Sequence, residues 1–176
     1  MTDQTPTRSA WHTFLDQQGS HLPADADAAL PDNFVAPLND LGLISLTGDD
    51  AASFLHNQIT NDVEKLDLAN ARLAGYCTPK GRLLATFLMW KDADQIVLQL
   101  PRTLQPAIQK RLQMFVLRAK AKLADISEQR VTLGLAGNAA ATALLQWFPQ
   151  LPAQAYGKAD NEYGTLVRVA DSRGAP

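Results

Sequence analysis

Residues 71–91 read ARLAGYCTPKGRLLATFLMWK, and this stretch decides the fold class. Ala71 to Thr78 and Arg82 to Lys91 are rich in strand-forming side chains. Pro79-Lys80-Gly81 between them has the chemistry of a tight turn. Strands joined this closely run antiparallel, because a parallel pair needs a long crossover.

Working outward, Gln95 to Leu100 forms a third strand after the polar turn Lys91 to Asp94. Thr103 then opens a helix with Leu104, Ile108, Leu112 and Phe115 on one face and Lys110 and Arg111 away from it. Ala121 to Ile126, Val131 to Leu135 and Gly164 to Ala170 read as further strands. Gly137-Asn138 turns the chain into a helix through Leu145. Upstream of the hairpin, Leu41 to Thr47 is strand-like and stops at Gly48. Asp49 or Asp50 can cap the helix that follows, whose Ala51, Phe54, Leu55, Gln58 and Ile59 fall at helical spacing. Near the start, Ser9 to Gln18 reads as a helix capped by Ser9, with Trp11, Phe14 and Leu15 on one face. Pro23 to Asp32 reads as a loop.

Directly joined hairpins with a few helices between strand groups give an α+β fold of mostly antiparallel sheet with flanking helices. The expected division is 1–40 as an N-terminal helix and loop and 41–176 as the main domain. The last residues, Asp171-Ser172-Arg173-Gly174-Ala175-Pro176, resemble a turn with no returning strand, so truncation at the C-terminus is expected.

Composition narrows the function classes. In 176 residues the net charge is -2, which gives no global attraction to nucleic acid or an anionic membrane. Cys77 is the only cysteine, so an intramolecular disulfide or a cysteine-built metal site within one chain is excluded, and a cytoplasmic setting is expected. The uncharged stretch from Val131 to Gly157 is interrupted by Gly134, Gly137, Pro149 and Pro152, which argues against a membrane span. His12, His21 and His56 are scattered without a second ligand at metal-site spacing. No nucleophile elbow or Walker loop occurs, and Gly134 to Ala140 lacks the full glycine pattern of a dinucleotide site.

Three clusters carry more information. Phe54 to Val63 breaks from an amphipathic helix into a polar run in which the amide of Asn61 and the carboxylate of Asp62 suit the donors and acceptors of a flat heterocycle. The same Asn61 and Asp62 can equally well end a helix by bonding their own backbone. Gly75 to Arg82 places Lys80 and Arg82 at a sheet end. Phe115-Val116-Leu117-Arg118-Ala119-Lys120 offers two more cations where a helix gives way to a strand.

In order and spacing these clusters resemble the YgfZ family, a branch of the folate-binding aminomethyltransferase superfamily, from about Leu41 onward. The resemblance rests on Gly48-Asp49-Asp50, Gln58-Ile59-Thr60-Asn61-Asp62-Val63, Cys77-Thr78-Pro79-Lys80-Gly81-Arg82 and Phe115 to Lys120. It implies an aminomethyltransferase-like folate-binding domain with tetrahydrofolate as cofactor. It also implies a cytoplasmic accessory role in iron–sulfur cluster assembly or repair, serving client enzymes such as those of tRNA thiolation. Its partners would be folate and iron–sulfur client or assembly proteins, with no direct nucleic-acid contact. By position, Gln58, Asn61 and Asp62 would lie near the folate, and Lys80, Arg118 and Lys120 would be candidates for its glutamate tail. The family's Lys-Gly-Cys-Tyr-x-Gly-Gln-Glu segment is absent, and the chain falls well short of the family's usual length. Where aminomethyltransferases carry an Asp pair, this chain has Ala85 and Thr86, neither of which can act as a carboxylate. No catalytic residue is therefore expected. The alternatives are a folate-dependent one-carbon transferase and a ligand-free interaction domain of the same fold.

Overall fold

The computed structural model describes residues 10–18 and 31–171. The chain divides into two compact units, Met1–Asp32 and Asn33–Pro176. The first contains α1 (Ala10–Gln17), where the rings of Trp11 and Phe14 stack with centroids 5.6 Å apart. The expected Ser9 cap, most of the Pro23 to Asp32 loop and the C-terminal turn beyond Asp171 lie outside the described residues.

The larger unit is built on a five-stranded, fully antiparallel sheet. Its strands are β2 (Leu41–Thr47), β3 (Ala71–Cys77), β4 (Leu83–Asp92), β5 (Gln95–Pro101) and β6 (Lys122–Asp125), in spatial order β3-β4-β5-β2-β6. The central hairpin closes as its residues dictate. Thr78 accepts from Gly81 N–H at 2.8 Å and from Arg82 N–H through its hydroxyl at 3.1 Å, and Gly81 supplies φ +78°. Two small pairs complete the unit. β1 (Phe34–Pro37) pairs with β7 (Leu133–Ala136), which brings residues 33–40 into it, and β8 (Lys158–Asn161) pairs with β9 (Gly164–Val167). The expected turn at Gly137 leads into α4 (Asn138–Leu144).

Strand alternation gives the sheet two unlike faces. Ile44, Leu46, Ala74, Tyr76, Ala85, Phe87, Met89, Leu98 and Leu100 form the main core with Phe54 and Leu55 of α2 (Ala51–His56) and Ile108 and Leu112 of α3 (Gln105–Val116). The opposite face carries a smaller cluster of Leu43, Ala71, Trp90, Val97 and Ile126, against which Tyr156 and Val167 pack. Lys158 is buried near this side and pairs with Asp160. Burial lowers its pKa, against the upward pull of Asp92 and Asp67.

Two expectations about helices are corrected. Asp50 precedes α2, but its side chain makes no cap hydrogen bond; the carboxylate reaches across to Lys120 N–H at 2.7 Å instead. On α3 only Ile108 and Leu112 of the expected apolar face are buried, while Leu104 and Phe115 are exposed. The buried face is completed by Gln105, 2% exposed, whose Oε1 meets the Ser127 hydroxyl at 3.0 Å and fills the space over Gly42. A Cβ at Gly42 would stand 1.9 Å from that oxygen, so a β-strand glycine makes room for a buried amide. No helix among the described residues is long and apolar enough to cross a membrane.

Candidate functional site

The segment after α2 runs along the outer edge of β3 and is fastened there by side chains. Ile59 forms a bridge with Tyr76, and Thr60 N–H donates to the Gly75 carbonyl at 2.9 Å. The Thr60 hydroxyl accepts from Gly75 N–H at 2.8 Å, and Asn61 Nδ2 donates to the Leu73 carbonyl at 2.8 Å. Asn61 Oδ1 also accepts from Asp62 N–H at 2.7 Å. Arg72, on β3, donates to the carbonyls of Asp62 at 3.3 Å and Lys65 at 2.9 Å.

Asp62 closes the following turn. Its carboxylate accepts from Lys65 N–H at 3.2 Å, pairs with Lys65 Nζ at 3.0 Å and lies 3.4 Å from His56 Nδ1. The Lys65 side-chain hydrogen bond, with the Lys65 amide and the charges of Lys65 and His56, holds the carboxyl below its usual range despite partial desolvation.

This fastening leaves an open cleft of about 420 Å³ at the β3–β4 surface, lined by Thr60, Leu73, Ala74, Gly75 and Thr86. Leu73 and Thr86 are exposed there, and Gly75 removes the side chain between them. Ala85 points the other way and is buried in the main core. Alternation therefore gives only the Thr86 position to the cleft, whose lining contains hydroxyl and apolar groups and no carboxylate.

A second cleft, of about 250 Å³, lies where the β3–β4 turn meets α3. Its lining is Asn57, Gln58, Tyr76, Cys77, Thr78, Pro79, Arg111 and Phe115. Beside it the ladder shifts register between Tyr76 and Cys77.

The six residues singled out from sequence are thus divided. Gln58 lines the second cleft, while Asn61 and Asp62 hold the segment that brings Thr60 to the first. Lys80 is exposed in the hairpin turn and Arg118 is exposed just past α3. Lys120 lies at the β2–α2 junction, its Nζ 3.4 Å from an Asp49 oxygen. The lining of neither cleft includes these three cations. The sequence clusters included Thr60, Gly75 and Phe115 without assigning them a role, and they left out Leu73 of the first cleft and Arg111 of the second. The signal for Leu73 and Gly75 was present, since both are odd-numbered on a strand whose even positions, Ala74 and Tyr76, are core.

No family model matches the sequence. The chain is 29% identical over 126 residues to the tRNA-modifying protein YgfZ of Colwellia psychrerythraea, covering 71% of this chain and 38% of that protein. It is 33% identical over 117 residues to the tRNA-modifying protein YgfZ of Hamiltonella defensa, covering 66% of this chain and 34% of the relative. The chain thus spans little more than a third of the length of these curated relatives. Among solved structures, the glycine cleavage system aminomethyltransferase T of Bartonella henselae superposes with a TM-score of 0.63 at 18% identity, covering 70% of this chain and 34% of the other. That likeness establishes the aminomethyltransferase-type α+β fold.

Proposed function

The chain belongs to the YgfZ family, and from that premise we propose that it is a folate-binding part of a cytoplasmic accessory protein for tRNA modification. In this reading it binds tetrahydrofolate in the Thr86 cleft and supports iron–sulfur enzymes that modify tRNA, without performing aminomethyl transfer. The observation that carries the reading is the open cleft at Thr60, Leu73, Gly75 and Thr86 in an aminomethyltransferase-type fold. Its apolar and hydroxyl lining suits one side of a flat heterocycle. The missing carboxylate removes the group that would move a proton at the reacting nitrogen. Asn61 and Asp62 contribute by holding Thr60 against β3, Gln58 lies farther along the same edge segment, and Lys80, Arg118 and Lys120 are exposed cations available to the folate's glutamate tail.

The test is calorimetric titration of the chain with tetrahydrofolate, repeated on Thr86→Trp. Thr86 is exposed, so the larger ring should leave the urea midpoint unchanged while weakening binding at least about tenfold, roughly 1.4 kcal/mol. An absence of saturable binding would reject the folate reading and leave the ligand-free interaction domain. Formation of methylene-tetrahydrofolate from an aminomethyl donor would restore the transferase reading.

A further inference from the structure

The second cleft has a chemistry of its own. Arg111 Nε is buried and has no hydrogen-bond partner among the described residues. The lining around it contains amides, the hydroxyl-bearing Thr78 and Tyr76, a thiol and apolar carbons of Pro79 and Phe115, but no carboxylate to balance the guanidinium. A half-buried guanidinium with no carboxylate in the same lining lacks a counter-ion, and the group that best matches its planar fork of N–H donors is a planar anion. Phe115, 46% exposed, adds an apolar ring to the same lining, which also includes Tyr76 and Pro79. Asn57 Nδ2 donates to the Ser53 carbonyl at 2.8 Å, and Arg111 is the only cationic residue in the lining.

We propose that this cleft is a binding site for a small carboxylate carried on a flat, apolar body. The carboxylate sits on the Arg111 guanidinium and the body lies along Phe115 and Pro79. The site shares no lining residue with the Thr86 cleft and does not depend on folate binding there.

Cys77 supplies a reporter, because it is the only cysteine in the chain and lies in the lining. The rate of its alkylation by N-ethylmaleimide would be measured against increasing benzoate, benzamide, phenyl phosphate and tetrahydrofolate. Benzoate should protect Cys77 saturably, and benzamide, the same shape without charge, should need at least about fivefold higher concentration, the scale of one charge-assisted contact. Arg111→Gln should abolish the difference between the two, while Arg111→Lys should keep part of it. Equal protection by benzoate and benzamide, or no saturable protection, would overturn the proposal. Stronger protection by phenyl phosphate would overturn the carboxylate assignment. Displacement of benzoate by tetrahydrofolate would show a single shared site and overturn the claim of a separate one. The benzoate–benzamide contrast is read on the unaltered chain, so the test stands even if Arg111→Gln fails to fold.

Discussion

The Asp50 carboxylate accepts a hydrogen bond from Lys120 N–H at 2.7 Å, and the Asp50 N–H donates back to the Lys120 carbonyl at 3.2 Å. This reciprocal pair ties the start of α2 to the entry of β6 across a sequence separation of 70 residues. A residue that looked like a local helix cap is therefore a long-range clasp. Asp50→Ala should lower stability by about 1.5–3 kcal/mol, the range for a hydrogen bond to a charged group. Asp50→Asn should recover part of that loss, because an amide oxygen still accepts from Lys120. Urea unfolding of both variants checks this; equal losses would assign the effect to the charge alone.

Gly48 makes that clasp sterically feasible. It stands at φ +109°, and a Cβ there would fall 2.2 Å from the Lys120 carbonyl oxygen. Gly81 also has positive φ, +78°, but open space around it. Gly48→Ala should therefore cost more than Gly81→Ala, which bears only the backbone penalty of about 1–2 kcal/mol. Thermal or urea unfolding of the two variants ranks them directly, and an equal cost would remove the steric argument.

Acid should loosen the segment beside the Thr86 cleft. The lowered pKa of Asp62 means that its carboxylate favours the folded state above the ordinary Asp value of 3.8. That contribution is lost as pH falls through the still lower folded value. Asp62→Asn cannot titrate, so the variant's stability should change less between about pH 5 and pH 2 than the parent's. Parallel slopes over that window would show that the Lys65 and His56 contacts do not discriminate between the two forms of the carboxyl.

Much of the fold was legible because its central features are local. The hairpin announced itself through Pro79-Lys80-Gly81, and β2 runs from Leu41 to Thr47 as its apolar run suggests. Features decided by distant partners were not legible. β1 contains Pro37 and pairs with β7, about a hundred residues away, while Lys158-Ala159-Asp160-Asn161 has few strand-forming side chains. Helical periodicity placed Phe115 on the apolar face of α3, but the face that packs on the sheet is Gln105, Ile108 and Leu112, with Gln105 taken in because Gly42 leaves it room. The site was half legible for the same reason. Asn61 and Asp62 stood out as polar residues, whereas Arg111 gains meaning only when α3 is laid against the Cys77 turn.

The fastening of the segment after α2 also governs how the molecule behaves among its own copies. Along the outer edge of β3, Tyr156 takes Ala71 N–H, Asn61 takes the Leu73 carbonyl, and Thr60 takes both backbone groups of Gly75. The other border of the sheet is β6, only four residues long and flanked by Lys122 and Asp125. A strand from a neighbouring molecule thus meets one border already occupied and another too short and too charged to template a continuing ladder. The same hydrogen bonds that shape the Thr86 cleft act as insulation against edge-to-edge aggregation.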